Sequence, residues 1–530
     1  MLKDVNSTDL KGAIALGCQT MASVFNADDN DIPFFGADAW PHAFMDFSPY
    51  HGESHVPGRH LNALLNAQAA GIPIDPTAVE KHRKAAFYSF SGPIPVPLNR
   101  LQAEGSSVRL PTGTPVRFLD HNLREGMFAM YALARFCDDK EADSMAQKLI
   151  QWVNTHYLPN FSWDEAMNSA AADKDNTLAI LSPYIAGVAR MIGPLVMYWK
   201  YCGYMPALSL ARTLADKAVQ HFSETGEMDF QRMGTEHVHS ITCVMSSLAQ
   251  LADATGDMEL LARIRLFYDN GLNQLRNELG WSNESVHKPL GRGELNNSGD
   301  ILETALILGK HYGAYYDADA ERIIRGHILP AQLRDTSFIK DPDNPDNLDG
   351  LRNLAVRLKG AFGFAAPYGH YPKGESGPDG RQSFAFNLDI VGGTTASLCE
   401  ALRSCATYEE GIHRVRLLFD RETEHICVHS PYPNGVLTII VRSPGPLFVR
   451  IPPWVNPDAL SVDGADWLLR DHWLFIPQPK IGCEICVHIP LTERESSIRY
   501  GDGRLNVRFR GDIVTAMENE CMPFTFFPPL

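Results

Sequence analysis

The 530-residue chain lacks the sequence features that mark several large classes of protein. It has no run of about eighteen apolar residues, which excludes a membrane-spanning helix. Its start, Met-Leu-Lys-Asp-Val-Asn, has no apolar segment of the kind found in secretory signals, so we expect a cytoplasmic protein that does not bind membranes. It has no Walker loop, no GxSxG and no GxGxxG after a predicted strand, so nucleotide use has no support.

Basic residues are scarce relative to acidic ones. The chain has 47 Lys and Arg against 63 Asp and Glu, which gives a net charge of −16. Neutralising phosphates requires clustered Lys and Arg, so we expect no nucleic-acid partner. A local basic pocket could still bind an anionic sugar. The ten cysteines are scattered through apolar stretches, which indicates reduced thiols in a cytosolic protein.

Helical hairpins dominate residues 120–410. Apolar residues recur there at spacings of three and four, and short turns rich in Gly, Asp or Pro separate the paired helices. Helices near 58–70, 76–90, 350–360 and 390–408 bring the total to roughly twelve. Six hairpins close naturally into an (α/α)6 barrel, so we predict a mainly α fold of that kind. An open α-solenoid is the alternative.

The hydrophobic period changes to two after about residue 412. Segments such as VLTIIVRS, LFVRIPP and EICVHIPL alternate apolar and polar residues and are separated by turns, which predicts an antiparallel β-sandwich. The chain is longer than one hydrophobic core usually supports, so more than one domain is expected. We predict a loop-rich N-terminal segment over 1–57, a catalytic barrel over 58–411 and the β-sandwich over 412–530.

Three stretches resemble glycoside hydrolase family 127, the β-L-arabinofuranosidase-like enzymes. They are GTEHVHSITCVMSSLAQLADATGD, LFVRIPPWV and GRLNVRFRGDIVTAME. With the order of the hairpins, the resemblance covers about residues 120–520. It implies a barrel followed by a β-sandwich, and a pocket of the size of a sugar.

The chain departs from that family at its reactive centre. Family members use a cysteine nucleophile on a zinc site, built from a Glu-x-Cys and a downstream Cys-Cys pair. The pair would fall at Gly392, Gly393, Thr394 and Thr395, and the Glu-x-Cys would fall near Asp300. Because these cysteines are missing, we expect no cofactor, and neither structural nor catalytic zinc.

Carboxylates in the predicted loops could supply acid–base chemistry. Glycosidic cleavage needs a protonated carboxyl and usually a second carboxylate. Glu284 matches the position of the family's general acid, and we expect Trp281 and His287 to raise its pKa by partial burial. Asp300 or Glu236 is then the base, and the enzyme is inverting and zinc-independent. Alternatively, Asp300 merely caps the next helix.

Histidines and an arginine lie near the predicted starts of inner helices. His237 and His239 belong to an EHVH segment, and His237 matches a substrate-contacting histidine of the family. They could instead be an interior pair, or metal ligands, although no third ligand is identifiable nearby. His121, Arg124 and Glu125 open another helix and could bind substrate or form an internal ion pair.

Two loops mix aromatic and polar residues in the way sugar-binding sites do. The first lies in the N-terminal segment and contains Trp40, His55 and Arg59. The second, AAPYGHYPKG, contains Tyr368 and His370. We predict that all five contact the substrate.

The sequence therefore predicts a glycoside hydrolase that acts on a terminal sugar of an oligo- or polysaccharide. A polysaccharide lyase with a His or Tyr base and a sugar epimerase with paired histidines remain alternatives. So does a non-catalytic carbohydrate-binding relative that has lost the site. A homodimer is possible, and a carbohydrate is the only partner we expect.

Overall fold

The computed structural model describes residues 1–101, 113–164, 167, 178–286, 292–372 and 384–530. None of its described helices is long and apolar enough to cross a membrane. The helices are Leu10–Met21 (α1), Gly52–Ala69 (α2), Pro76–Ser89 (α3), Leu123–Cys137 (α4), Lys140–His156 (α5), Ile192–Cys202 (α6), Met205–Ala218 (α7), Phe230–Met233 (α8), Val238–Thr255 (α9), Met258–Asp269 (α10), Leu295–Tyr312 (α11), Ala314–Ile323 (α12), Leu354–Arg357 (α13) and Asp389–Ser404 (α14).

Six inner helices form a closed ring. In order around the ring they are α2, α4, α6, α9, α11 and α14; each packs against the next, and α14 packs against α2. An outer helix packs against each inner one: α3, α5, α7, α10 and α12 follow their inner partners in the chain. The predicted (α/α)6 barrel is confirmed, and the closure between α14 and α2 excludes the open solenoid.

The sharp turns of the hairpins follow from their sequences. Gly256 ends α9 with a φ of 70°, a left-handed conformation that favours glycine. The next residue, Asp257, caps α10 because its side chain accepts a hydrogen bond from the backbone N–H of Leu260. Asp139 caps α5 in the same way. Such turns reverse the chain within a few residues, so each outer helix lies beside its inner partner.

The N-terminal helix α1 fills the sixth outer position. It packs against α14 and α2, and Gly17 lies so close to Thr395 that an added Cβ would be 2.4 Å from the hydroxyl oxygen. The predicted boundary at residue 58 therefore divides the barrel, since α1 and the start of α2 at Gly52 both precede it. The helix expected over 350–360 is only the one-turn helix α13.

The strands are short. They are Phe25–Asn26 (β1), Ile32–Pro33 (β2), Gly36–Trp40 (β3), Phe44–Asp46 (β4), Leu98–Asn99 (β5), Arg117–Leu119 (β6), Ala179–Ile180 (β7), Phe384–Asn387 (β8), Ala406–Glu409 (β9), Ile412–Val415 (β10), Arg421–Glu422 (β11), Ile426–His429 (β12), Val436–Val441 (β13), Leu447–Arg450 (β14), Ser461–Asp463 (β15), Leu468–Arg470 (β16), Trp473–Ile476 (β17), Glu484–His488 (β18), Glu493–Tyr500 (β19), Gly503–Arg510 (β20) and Ile513–Met517 (β21).

Two five-stranded sheets share one apolar core after the barrel, as a β-sandwich requires. Their strand orders are β16-β17-β14-β10-β9 and β11-β12-β13-β18-β15, and residues such as Leu437, Val449 and Ile485 lie between them. Strands β10 and β14 pair in parallel, so the sheets are not wholly antiparallel. The first sheet begins at β9, slightly before the predicted boundary. The final sheet, β19–β21, packs most of its apolar residues into the core of the barrel instead, while Ile513 joins the core of the sandwich.

A fully buried ion-pair network fixes the β-sheets to the barrel. Glu321 of α12 accepts hydrogen bonds from Arg325, at 2.8 Å, and from Arg450 of β14. Its second oxygen also accepts from the backbone N–H of Leu418, at 2.9 Å. All three charged side chains are completely buried, so removing one partner leaves an uncompensated charge in the interior.

We expect Glu321→Gln to lower the free energy of unfolding by about 3 kcal/mol or more, because Arg325 and Arg450 would lose their only buried anionic partner in this network. Denaturant unfolding followed by circular dichroism measures the change. Asp463→Asn, which removes the carboxylate of an exposed pair with His488, is the control and should cost less than about 1 kcal/mol. Equal losses in the two variants would contradict this account of the junction.

Candidate active site

The N-terminal ends of the inner helices bring most of the predicted polar residues together. His55 and Arg59 lie on α2, and Arg124 and Glu125 on α4. His239 lies in the first turn of α9, and Asp300 lies in α11. His237 directly precedes α9, and His121 lies two residues before α4. Every helix of the inner ring runs in the same direction, so residues that are far apart in sequence meet at this end of the barrel.

Glu125 lies at the centre of this group and is completely buried. Its Oε1 atom is 3.0 Å from Arg190 Nη2, 3.3 Å from Arg59 Nε and 3.4 Å from Arg124 Nη1. Burial alone would raise the pKa of Glu125, but the surrounding positive charges outweigh it and hold the pKa well below its usual range. The predicted ion pair of Arg124 and Glu125 is therefore one part of a network with three arginines.

Asp389, in the first turn of α14, is a further buried carboxylate. Its Oδ2 atom is 3.2 Å from His55 Nε2, while His55 Nδ1 is 3.0 Å from Asn122 Oδ1. Burial would raise the pKa of Asp389, but the bond with His55 and the nearby charge of Arg59 lower it to about 2. Sequence reasoning missed Asp389, because an acidic residue in the first turn of a helix is common without any function.

Asp300, His239 and Glu294 form a chain from the interior towards the mouth of the barrel. Asp300 Oδ2 is 3.6 Å from His239 Nε2, and Glu294 Oε1 is 3.3 Å from His239 Nδ1. Arg59 Nη2 is 3.2 Å from the same Nε2 atom. A guanidinium group can only donate, so Nε2 accepts and neutral His239 carries its proton on Nδ1, towards Glu294.

Asp300 is the carboxyl of this chain that is suited to holding a proton near neutral pH. Burial raises its pKa to about 7, against the opposing effects of Arg124 and of the hydroxyl of Thr242, which donates to Oδ2 at 2.9 Å. The alternative that Asp300 caps the helix is wrong, because α11 has Glu294 at its N-cap and Asp300 lies in the second turn.

His237 lies between Glu294 and solvent, and its side chain is 33% exposed. Its Nε2 atom is 3.5 Å from Glu294 Oε2, and its Nδ1 atom is 2.9 Å from the hydroxyl oxygen of Ser240. His237, His239 and Glu294 place one potential metal-ligating atom each within 4.8 Å of one another. The expectation that no third ligand accompanies the two histidines is therefore wrong, since Glu294 supplies it from another helix.

The residues present do not fit the zinc–thiolate centre implied by the family resemblance. Gly393 lies against Asn296 and Arg59: an added Cβ would be 2.1 Å from Asn296 Oδ1 and 2.8 Å from Arg59 Nη1. At Gly392, the backbone of Arg59 approaches an added Cβ to 2.8 Å. Where the resemblance places the cysteine pair, the chain has two glycines packed against Arg59 and Asn296, and these glycines offer no thiolate.

Histidine rings line the mouth in a continuous series. The ring centroids of His51 and His55 are 5.1 Å apart, those of His55 and His121 5.8 Å, and those of His121 and His237 5.9 Å. The series ends at His239, 5.6 Å from His237. Burial lowers the pKa of His51 to about 3 and that of His121 well below its usual value, so both rings are neutral.

Glu284 lies at the rim, beside His237. Its backbone C=O accepts from the N–H of Val238 at 3.0 Å, and its carboxylate accepts from Arg292 Nε at 2.8 Å. Trp281 does not supply the expected apolar wall, because its indole N–H donates to Ala365 O at 2.6 Å and its ring packs on Tyr500. His287 lies outside the described residues. Glu236 lines a neighbouring cavity of about 490 Å³.

Three of the residues predicted to contact substrate lie in an aromatic part of the core. Tyr368 is completely buried and packs on Tyr500. The His370 ring is stacked 4.4 Å from Phe384, and its burial lowers its pKa to about 3. Trp40 packs edge-on against Tyr371 and Phe524. The structure does not bring these side chains to the mouth, and their contacts explain the aromatic composition as packing.

No protein-family model and no curated protein matches the chain. Solved structures match its fold. A GH127 β-L-arabinofuranosidase from Geobacillus stearothermophilus T6 is 13% identical, with a TM-score of 0.57 over 95% of this chain and 80% of that one. A second GH127 β-arabinofuranosidase is 13% identical, with a TM-score of 0.56 over 95% and 79%. A glycoside hydrolase is 12% identical, with a TM-score of 0.55 over 93% and 84%. At these identities the likeness shows a GH127-like fold.

We expect Asp389→Asn to lower the free energy of unfolding by about 2 kcal/mol at neutral pH, because the folded pKa of Asp389 is about 2 against an ordinary value of 3.8. A lowered folded pKa stabilises the protein above the ordinary pKa. That contribution disappears as the pH falls towards the folded value, where both states are protonated. Urea unfolding at neutral pH and at about pH 3 should therefore show a large and then a smaller difference from the wild type. A difference independent of pH would contradict the assignment.

Proposed function

We propose that the protein is a glycoside hydrolase that removes a terminal sugar from an oligo- or polysaccharide at the mouth formed by the N-terminal ends of its inner helices. The observation that carries the proposal is the chain Asp300–His239–Glu294, in which two buried carboxyl groups face opposite nitrogens of one imidazole. The likeness in fold to β-L-arabinofuranosidases supports it and makes β-L-arabinofuranosides the first substrates to test.

The chain of Asp300, His239 and Glu294 suits delivery of a proton to the leaving group. Glu294 donates its proton to the glycosidic oxygen as the C–O bond breaks, and His239 returns a proton to Glu294 from Nδ1. Asp300, protonated near neutral pH, protonates Nε2 in the same event, so the imidazole stays neutral. Its Nε2 must then exchange the hydrogen bond from Arg59 for one from Asp300. His239 Nδ1 is 3.3 Å from Glu294 Oε1, and His239 Nε2 is 3.6 Å from Asp300 Oδ2. Catalytic hydrogen bonds are often long in the free enzyme and shorten when substrate binds.

Glu284 suits the base better than the acid. Both oxygens of Glu284 accept hydrogen bonds from Arg292, at 2.8 and 3.4 Å, so neither is placed to donate a proton to a leaving group. A carboxylate at the rim can take a proton from the attacking water, which then adds to the anomeric carbon from the face opposite the leaving group. This reverses the roles expected from the sequence but keeps an inverting, zinc-independent reaction with two carboxyl groups.

The charges at the mouth favour a neutral sugar. Arg59, Arg124 and Arg190 are all directed to Glu125, so these arginines already have an anionic partner inside the protein. The half-buried, neutral rings of His51 and His121 and the exposed edge of His237 offer ring nitrogens and aromatic faces to hydroxyl groups and to the C–H surface of a sugar.

A sugar epimerase is the second candidate. The observation that favours it is the series of histidine rings from His51 to His239, which would provide bases on more than one side of a bound sugar. Incorporation of deuterium from solvent at a carbon atom of the sugar, without cleavage of a glycosidic bond, would identify this reaction.

We expect Asp300→Asn and Glu294→Gln each to lower kcat by about a hundredfold, with a small change in KM, because both remove a transferable proton. Wild-type kcat should fall as the pH rises above about 7, where Asp300 loses its proton, and Asp300→Asn should remove this decline. Steady-state hydrolysis of an alkyl β-L-arabinofuranoside, whose leaving group needs the proton, in chelator-containing buffer measures both effects, and proton NMR of the first product should show inverted configuration.

Asp463→Asn is the control for the asparagine substitution, since Asp463 lies in the exposed pair with His488. Circular dichroism and melting temperature establish that each variant is folded. Wild-type activity in Glu294→Gln, or an unchanged alkaline decline in Asp300→Asn, would refute the proton path. A retained anomeric configuration would refute the inverting reaction alone.

A further inference from the structure

We propose that His237, His239 and Glu294 bind one divalent transition-metal cation, with zinc the best fit, and that the bound cation inhibits the enzyme. The binding site stands on its own geometry. The inhibition rests on the proposed function, because it acts by occupying atoms through which the proton passes.

The spacing of the three donor groups fits tetrahedral zinc. Zinc binds histidine nitrogens and carboxylate oxygens at about 2.0–2.2 Å, which places neighbouring donors about 3.4 Å apart. The observed separations are 3.3 Å between His239 Nδ1 and Glu294 Oε1, and 3.5 Å between His237 Nε2 and Glu294 Oε2. All three donors lie within 4.8 Å of one another, so binding requires only small side-chain adjustments.

Each donor is also held by a neighbour, as metal ligands usually are. His237 Nδ1 lies 2.9 Å from Ser240 Oγ, which leaves Nε2 free to bind a metal. Asn296 Nδ2 donates to Glu294 Oε1 at 2.9 Å. The Nε2 atom of His239 faces Asp300 Oδ2, so a metal on Nδ1 would create a carboxylate–histidine–metal arrangement.

Two imidazoles and one carboxylate favour zinc over magnesium or calcium, which prefer oxygen ligands. The fourth position is open to the mouth, because the His237 side chain is partly exposed. A water molecule or a sugar hydroxyl completes the coordination. The proposed ligands are two histidine nitrogens and one glutamate oxygen. A zinc–thiolate centre of the kind implied by the family resemblance shares only the glutamate and uses cysteine sulfurs for its other donors.

Inhibition follows from the atoms that the cation occupies. Zinc binds the lone pair of Nδ1, so the proton there leaves for Nε2 or for solvent. It also replaces the proton of Glu294, which leaves to solvent, and the zinc-bound carboxylate can then neither receive nor donate a proton. No electron transfer is involved, and removing the cation restores both groups.

The test begins with chelator-treated, metal-free enzyme titrated with zinc chloride by calorimetry and with cobalt(II) by visible absorption. We expect one cation per chain, and the intense d–d bands of tetrahedral cobalt. His237→Ala and Glu294→Gln should weaken zinc binding by about tenfold or more, since each removes a ligand. His156→Ala, which removes a partly exposed histidine paired with Asp164, is the matched control and should bind zinc as the wild type does.

Circular dichroism of each variant establishes that lost binding is not lost folding. The binding site is refuted if metal-free wild-type enzyme takes up no zinc, or if His237→Ala and Glu294→Gln bind it unchanged. Added zinc should lower the hydrolysis rate of the wild type in proportion to occupancy. Activity that depends on zinc would overturn both the inhibition and the metal-free proton path. Zinc binding without any hydrolysis would leave the site standing and remove the proposed function.

Discussion

The arrangement at the barrel mouth depends on one buried carboxylate, Glu125, and the three guanidinium groups around it. Arg59, Arg124 and Arg190 come from three different segments of the inner ring and meet at one oxygen of Glu125. The contact between Arg59 Nε and Glu125 positions the guanidinium group so that its Nη2 atom lies 3.2 Å from His239 Nε2. That single donor sets the tautomer of His239, and the tautomer decides which way a proton can move. Without Glu125, the three guanidinium groups would lose the buried carboxylate that they share.

The sequence was enough to predict the barrel, because helical periodicity and turn residues are local signals. Gly256 and Asp257 show how a turn can be recognised from two residues alone. The domain limits could not be predicted in this way. Helix α1 joins the ring through contacts with α14, nearly 380 residues later in the chain, and the β19–β21 sheet joins the barrel core rather than the sandwich. Both arrangements depend on contacts between residues that are far apart in the sequence, and local periodicity does not predict such contacts.

The same distinction applies to the site. His237, His239 and Asp300 could be found because polar residues cluster near predicted helix starts. Asp389 and Arg190 stand alone in sequence, and only the closed ring brings them to the cluster and places Glu294 beside the two histidines. Tyr368 and His370 show the opposite error, because an aromatic loop with Gly and Pro has the same composition whether it contacts a ligand or fills a core.

In the proposed reaction the sugar binds at the histidine-lined mouth, with its glycosidic oxygen beside Glu294. The alternative location is the opposite end of the barrel, where a cavity of about 740 Å³ lies beside Tyr131, Lys200 and Lys310. A crystal structure of folded Asp300→Asn soaked with an arabinofuranoside tests the claim most directly. We predict the glycosidic oxygen at about 2.6–3.2 Å from a Glu294 oxygen. A sugar bound only in the opposite cavity, or one at the mouth whose glycosidic oxygen faces away from Glu294, would contradict it.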